Sequence, residues 1–437
     1  MTSLRVVCTN DFLSSLSPMR TSYGRLPGAN ALQRTVEQLR DGQPTIWADA
    51  GDFSQGGPLS TATGGVANFE AAAQLGIEVA TIGNHEFDWD LPHLIEHRRV
   101  LPFPLICANI DVGLAATALI STPAGAVGFV GLTHPQVNLF TPYAPSPRAD
   151  LERLVPSHAA ELRHQGATAV VVLIHFGVNW SVGDDGAHDP DPTPVLEVCR
   201  PFHDAVDAVV LGHTLGRWAD VVDGVPYAQP WAFGAEVGVI DLDLDTRRHR
   251  VGLVAVDAEP IAWTGAGHAE IDDAERTVVG HLDAPLTIDF AHATSLADYA
   301  ADALRRAARA SGAVVPVVGM HQPAIAGVMY HWPAGPVTEA DVSRLWPWTD
   351  DRCLVADLAP DELEAVVGFT APEPWLAWGT SSAPAVESDA TLVVPRDYVD
   401  WATVQIAQIL GRDLAWRRSD VHLRDAVRIA LAASSGA

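Results

Sequence analysis

Five short segments of this 437-residue chain carry carboxylates, amides and imidazoles in loops that open directly after apolar runs. They are TNDFL at residues 9–13, GDFSQGG at 51–57, GNHEFD at 83–88, IHFG at 174–177 and GHTL at 212–215. Asp, Asn and His at loop starts, beside glycines that let the backbone turn tightly, form a mixed nitrogen and oxygen donor set suited to Mn²⁺, Fe or Zn²⁺. Taken singly, His175 or His213 reads as a core histidine bonded to backbone, and Asp52 or Asn84 as a turn residue. GNHEFD is more specific, and all five in this order point to a metal site.

The elements that must position these loops are short β-branched runs. Residues 4–8 (LRVVC), 45–48, 79–82, 105–108, 127–132, 169–174 and 208–211 read as strands, and 31–40 (ALQRTVEQLR) and 66–75 as helices. Buried strands alternating with helices predict an α/β layered fold rather than a sandwich of hairpins. In such sheets the functional loops gather at the carboxyl ends of the strands. The pattern turns strand-rich from 227 to 256, closing a first domain at 1–262. A helical stretch at 269–282 predicts a connector over 263–285. A second α/β domain follows at 286–437, with a helix at 295–310, a strand at 314–318, a turn at 333–335, a helix at 360–367, a loop at 380–388 and a helical tail at 420–433. GDDGAHDPDPTP at 183–194 has the composition of a surface loop, and its His188 is a further, weaker ligand candidate.

Composition bounds the partners. With 27 basic and 54 acidic residues the formal charge is −27, and every basic residue is Arg. Such a surface repels nucleic-acid phosphates and anionic lipids, so neither nucleic acid nor a membrane is expected as a partner. Any anionic substrate needs a local positive charge. No uninterrupted apolar stretch has the length of a membrane span. Cys8, Cys107, Cys199 and Cys353 are widely spaced without a CxxC pair, which suits reduced thiols. The chain opens on a strand-like run without the features of a secretory signal, so a cytoplasmic location is expected.

The order of the five segments resembles the calcineurin-like metallophosphoesterases, and in particular the two-domain 5′-nucleotidase and 2′,3′-cyclic-nucleotide phosphodiesterase family. FPLICANID (103–111) and VGFVGLT (127–133) resemble that family's core strands, and LADYAADALRRA (296–307) and WPAGPVTEADVSRLWPWTD (332–350) its C-terminal domain. The resemblance implies a four-layer N-terminal domain, two packed sheets flanked by helices, and a smaller α/β nucleotidase-type C-terminal domain that binds substrate. It implies two metals, one held by Asp52, Asn84, His175 and His213. The other would take Asp11, the bridging Asp52, and histidines two residues after Asp11 and after His213. Those last positions are Leu13 and Leu215, which carry no lone pair, so a single tightly bound divalent ion is expected. The resemblance also assigns His85 to the transferring phosphoryl group or leaving oxygen, oriented by Asp88. That pairing fixes the tautomer and raises the basicity of the other ring nitrogen.

In the family the second domain holds the nucleoside through an Asn-Gly-Gly-x-x-Arg loop and paired aromatic rings. The matching stretch here, VVGMHQPAIAG (317–327), has no Arg, while Trp375, Trp378, Tyr398 and Trp401 are candidates for base stacking. Arg217, with Arg20 and Arg25 behind it, is a candidate to grip phosphate in place of the lost ion. The expected activity is hydrolysis of a small phosphate ester, a nucleotide or related metabolite in nucleotide breakdown, by a metal-activated water. The alternative is a non-catalytic metal- or nucleotide-binding protein of the same fold; a third reading is metal-assisted hydrolysis away from phosphorus.

Overall fold

A computed structural model describes residues 3–22, 24–55, 57–141, 143–182, 188–256, 261–288, 295–311, 317–321, 331–346, 351–367, 379–380, 390–395 and 406–434. The chain divides into two compact units. One comprises Met1–Met19, Arg25–Gln55 and Thr63–His268; the other comprises Arg20–Gly24, Gly56–Ala62 and Ala269–Ala437.

The first unit is built on two six-stranded sheets. In one, Ser3–Thr9, Thr45–Asp49, Val79–Thr81 and Leu105–Ile106 run parallel in that order, and Glu236–Asp243 and Arg250–Ala255 add antiparallel strands beyond Ser3–Thr9. In the other, Val225–Gln229, Ala208–Leu211, Ala167–Ile174 and Gly125–Leu132 are parallel, with antiparallel Trp218–Val222 and Thr117–Thr122 at the two edges. The side-chain period of two explains how the sheets stack. On Ala167–Ile174, Val171 and Leu173 share one core with Leu4, Val6, Ile46, Val210 and Ile240, which come from both sheets. Val170, Val172 and Ile174 face the opposite way, against Leu154, Val155 and Leu162 of helix Leu151–His164. Each fully buried aliphatic side chain contributes about 1.5–3 kcal/mol, and a one-residue slip would swap the two faces, so the register is strongly specified. Helix Ala29–Leu39 buries Ala31, Leu32, Thr35 and Val36, and the Arg5 guanidinium ties its last carbonyl, Leu39 O, to the first strand at 3.0 Å. The fold is α/β, with two packed sheets flanked by helices.

The second unit contains a five-stranded mixed sheet in the order Gly379–Thr380, Val317–His321, Ala390–Pro395, Arg352–Leu358, Arg417–His422. Helix Ser295–Ala310 buries Leu296, Ala300, Leu304 and Ala308, a stripe with the helical period. Helix Leu423–Ser434 follows the last strand.

Three local expectations change. The predicted helix at 269–282 stops at Arg276, and Val278–Leu282 is a strand paired with Gly335–Thr338, because its β-branched pair and alternating burial satisfy a sheet better than a helix. Residues 420–422 belong to the strand Arg417–His422 rather than the tail helix. In the acidic loop, His188–Asp191 pairs with Asn179–Val182 as a hairpin, and His188 stacks on Trp180 at 4.6 Å between ring centroids. Among the described residues no helix is long and apolar enough to cross a membrane.

Candidate metal centre

Parallel strands end on a common edge, and each of the five segments leaves such an end. Asp11 follows Ser3–Thr9, Asp52 follows Thr45–Asp49, Asn84 and His85 follow Val79–Thr81, His175 follows Ala167–Ile174, and His213 follows Ala208–Leu211. The loops turn at once through left-handed backbone at Asp11 (φ 46°), Asp52 (φ 55°) and His213 (φ 82°). Conformations this uncommon outside glycine persist only where the surroundings over-determine them. Two glycines make the close approach possible. A Cβ on Gly51 would lie 2.6 Å from Gly83 N, and one on Gly83 would lie 2.1 Å from Asp52 Oδ1.

The structure brings Asp52, His175 and His213 together, with one donor atom of each within 4.8 Å of the others, all three side chains buried. His175 Nδ1 donates to Ala50 O at 2.9 Å, which leaves the lone pair of the neutral ring on Nε2. That Nε2 is buried, and Asp52 Oδ2 stands 2.9 Å away. A carboxylate and an imidazole nitrogen converging this closely in a buried site is the arrangement a cation requires. Asn84 Oδ1 faces His213 Nδ1 at 2.9 Å, so the fourth expected ligand is also at hand. The donor set fits one divalent ion.

Asp11 is placed differently. Its Oδ2 accepts the His213 backbone N–H and the Asn10 amide, both at 2.7 Å, so it holds the His213 loop in place. Leu13 and Leu215 are buried, 6% and 1% exposed. Arg20 and Arg25 are exposed, and Arg217 is exposed and ion-paired with Glu236. Trp375, Trp378, Tyr398 and Trp401 lie outside the described residues.

His85 and Asp88 form the expected pair, Nδ1 to Oδ1 at 3.0 Å, which points Nε2 the other way, 3.9 Å from Asp52 Oδ2. The His85 N–H also donates to Asp52 Oδ1 at 2.8 Å, fixing the pair to the ligand. Burial opposes charge on this ring, but Asp88 and Asp52 outweigh it and push His85 up to about 10. Likewise burial lowers and Asp52 raises His175, with a net rise to about 9, and an incoming cation must displace that proton. Burial would raise Asp52, yet His175 and His85 hold it below the usual carboxylate range. Burial, with Asp52 adding to it, pushes Asp11 up to about 6 despite His175.

Sequence reasoning did not assign three further groups. Glu86 is fully buried and accepts N–H bonds from Gly83 (2.7 Å), Asp52 (2.9 Å) and Ser54 (3.1 Å), lacing two ligand loops together. Burial and the charge of Asp52 push it up to about 7. Asp49 accepts from Thr9 Oγ1 at 2.6 Å and Gly51 N at 2.9 Å, and burial pushes it up to about 8. His134 opens the loop after Gly125–Leu132 and is packed against His213, 4.6 Å between ring centroids. Burial and then His175 lower it to about 3. The strand-end rule that picked out the other histidines also fits His134, whose lone position after GLT gave no second signal.

The comparisons with known proteins agree with this geometry. Residues 4–217 match the calcineurin-like phosphoesterase family. A 2′,3′-cyclic-nucleotide 2′-phosphodiesterase/3′-nucleotidase of Salmonella typhimurium is 25% identical over 334 residues, 64% of this chain and 50% of the relative. Rat 5′-nucleotidase is 26% identical over 257 residues, 50% of this chain and 41% of the relative. The chain thus spans about half the length, or less, of these curated relatives. Among solved structures, a 5′-nucleotidase precursor from Thermus thermophilus superposes with a TM-score of 0.73 at 19% identity, covering 99% of this chain and 97% of that one. A sulfate thiohydrolase from the same organism, SoxB, gives 0.72 at 14% identity over 99% and 94%. Strand order, ligand loops and sequence match converge, and residues 4–217 of this chain are a calcineurin-like metallophosphoesterase domain.

Proposed function

We propose that the chain hydrolyses a small phosphate ester, a nucleotide or a related phosphorylated metabolite, with one divalent Mn, Fe or Zn ion held by Asp52, Asn84, His175 and His213. The observation that carries this reading is the buried Nε2 of His175 converging with Asp52 Oδ2 at 2.9 Å and with His213, beside the His85–Asp88 pair. When bound, the ion supplies Lewis acidity and lowers the pKa of a water. Asp88 keeps the Nδ1 proton of His85 in place, and His85, held protonated by its carboxylate neighbours, gives the proton on Nε2 to the leaving oxygen. Leu13 and Leu215 support one ion rather than two, since neither offers a lone pair. The nucleotidase names of the relatives support the substrate class.

On this reading the first unit performs the chemistry and the second, chiefly Ala269–Ala437, recognises the rest of the substrate. Four buried cysteines, Cys8, Cys107, Cys199 and Cys353, suit the cytoplasm. The test couples metal analysis of the purified protein to phosphate release from a panel of nucleotides and sugar phosphates with Mn²⁺, Fe²⁺ and Zn²⁺. One ion per chain is expected. His85→Ala should retain the ion and lose about 10²–10⁴-fold in rate. Metal uptake without phosphate release from any ester would overturn hydrolysis in favour of a non-catalytic binder.

A further inference from the structure

His134 is not among the ligands, yet it is held as firmly as they are. The Asn109 side chain clasps the residue before it from both sides, Nδ2 donating to Thr133 O and Oδ1 accepting from Thr133 N, each at 2.9 Å. Its ring is packed by Phe140 (4.7 Å), Phe176 (5.0 Å) and the ligand His213 (4.6 Å between centroids). The Gln136 backbone N–H donates to His134 Nδ1 at 2.9 Å. A backbone N–H can only donate, so Nδ1 carries the lone pair and the ring proton is on Nε2. The same bond makes Nε2 unsuitable as a ligand in this tautomer, in keeping with the position of His134 outside the Asp52–His175–His213 cluster. Nε2 makes no hydrogen bond among the described residues and is not fully occluded, and its ring lies against that of the ligand His213.

We propose that His134 is a substrate-binding residue whose Nε2–H donates to a non-bridging phosphoryl oxygen, stabilising the charge that a second cation would otherwise neutralise. This rests on the phosphoester reading above and adds to it a specific neutral donor. A fixed donor aimed at developing negative charge needs no reorganisation during the reaction, and removal of one such donor costs about 10²–10³-fold in kcat. The surrounding rings suit this role, since they pack edge-on against the imidazole and limit its rotation.

The experiment compares wild type, His134→Phe and His134→Gln as full-length, Mn²⁺-loaded proteins. Metal content is measured by mass spectrometry, fold by thermal unfolding, inorganic phosphate binding by calorimetry, and phosphate release by kinetics. His134→Phe keeps a packed ring and should keep its metal while binding phosphate at least about 10-fold more weakly and turning over about 10²-fold more slowly. His134→Gln, which can present an amide N–H near the Nε2 position, should recover most of both. Unchanged phosphate affinity in His134→Phe, or loss of its metal, would overturn the assignment and leave the phosphoesterase reading standing. Failure of the wild type to bind phosphate or release it from any ester would overturn both.

Discussion

Asp52 and His213 on one side of the site, and Leu13 and Leu215 on the other, all sit on left-handed backbone, with φ of 55°, 82°, 49° and 52°. An L-residue other than glycine pays about 1–2 kcal/mol for that conformation. At Asp52 and His213 the strain aims donor atoms at a common point, whereas at Leu13 and Leu215 it positions side chains that cannot bind a cation. The loop hydrogen bonds account for its persistence. Asp11 N, Leu13 N and Ser14 N donate to Gly51 O, Asp52 O and Phe53 O at 2.9, 3.0 and 3.1 Å, so the first loop is strapped to the loop that carries the working ligand. The two halves share one backbone frame and differ in side-chain chemistry. A strained loop alone is therefore not evidence of a metal.

The largest change should come from giving the apolar half donors of its own. The double substitution Leu13→His with Leu215→His places imidazoles on backbone already bent for them, beside Asp11 and Asp52. Metal analysis should rise from one ion per chain to two. Without metal the variant should lose about 2–5 kcal/mol, since two buried leucines give way to polar rings. A count that stays at one would show that the halves differ in backbone as well.

The next largest effect tests the shared frame. Glu86→Gln leaves a single carbonyl oxygen for the N–H groups of Gly83, Asp52 and Ser54. Unfolding should become easier by about 1–3 kcal/mol, and titration should give metal affinity about 10–100-fold weaker. Unchanged metal affinity would mean that the ligand loop holds its shape without Glu86.

Asp49 gives the smallest effect and a defined sign. Its carboxyl is pushed up to about 8 in the folded protein from 3.8, so the unfolded chain releases the proton first and stability falls as pH rises between those values. Asp49→Asn keeps an acceptor for Gly51 N and replaces the oxygen that accepts from Thr9 Oγ1 with an amide that can donate to it. It should match wild type near pH 4 and exceed it by at least about 1 kcal/mol above pH 8, measured by denaturant unfolding. Parallel profiles for the two proteins would mean that Asp49 is ionised in the folded state throughout.

Much of this was readable in the chain because the informative signals were local. Runs such as AVVL at Ala208–Leu211 and the stripe along Ser295–Ala310 state their own period, and the ligand loops follow those runs directly. What escaped depended on distant partners. Arg217 is adjacent to the ligand loop in sequence, but its ion pair with Glu236, 19 residues on, is not legible there. Glu86 stands inside a recognised motif, but its role appears only when the Asp52 and Ser54 amides fold back over it. Val278–Leu282 is a five-residue run whose strand pairing depends on residues 335–338, and short apolar runs do not separate helix from strand by period.

The separations between contacting site residues carry a kinetic consequence. Ala50 meets His175 across 125 positions, Asn84 meets His213 across 129, and Asp11 meets His213 across 202. Each of these encounters requires a long loop to close, at an entropic cost its own hydrogen bond does not offset. A cation that binds only the finished arrangement cannot guide the chain toward it. Its effect should fall on escape from the native state, with metal lengthening the lifetime of the folded unit while leaving the rate of reaching it nearly unchanged.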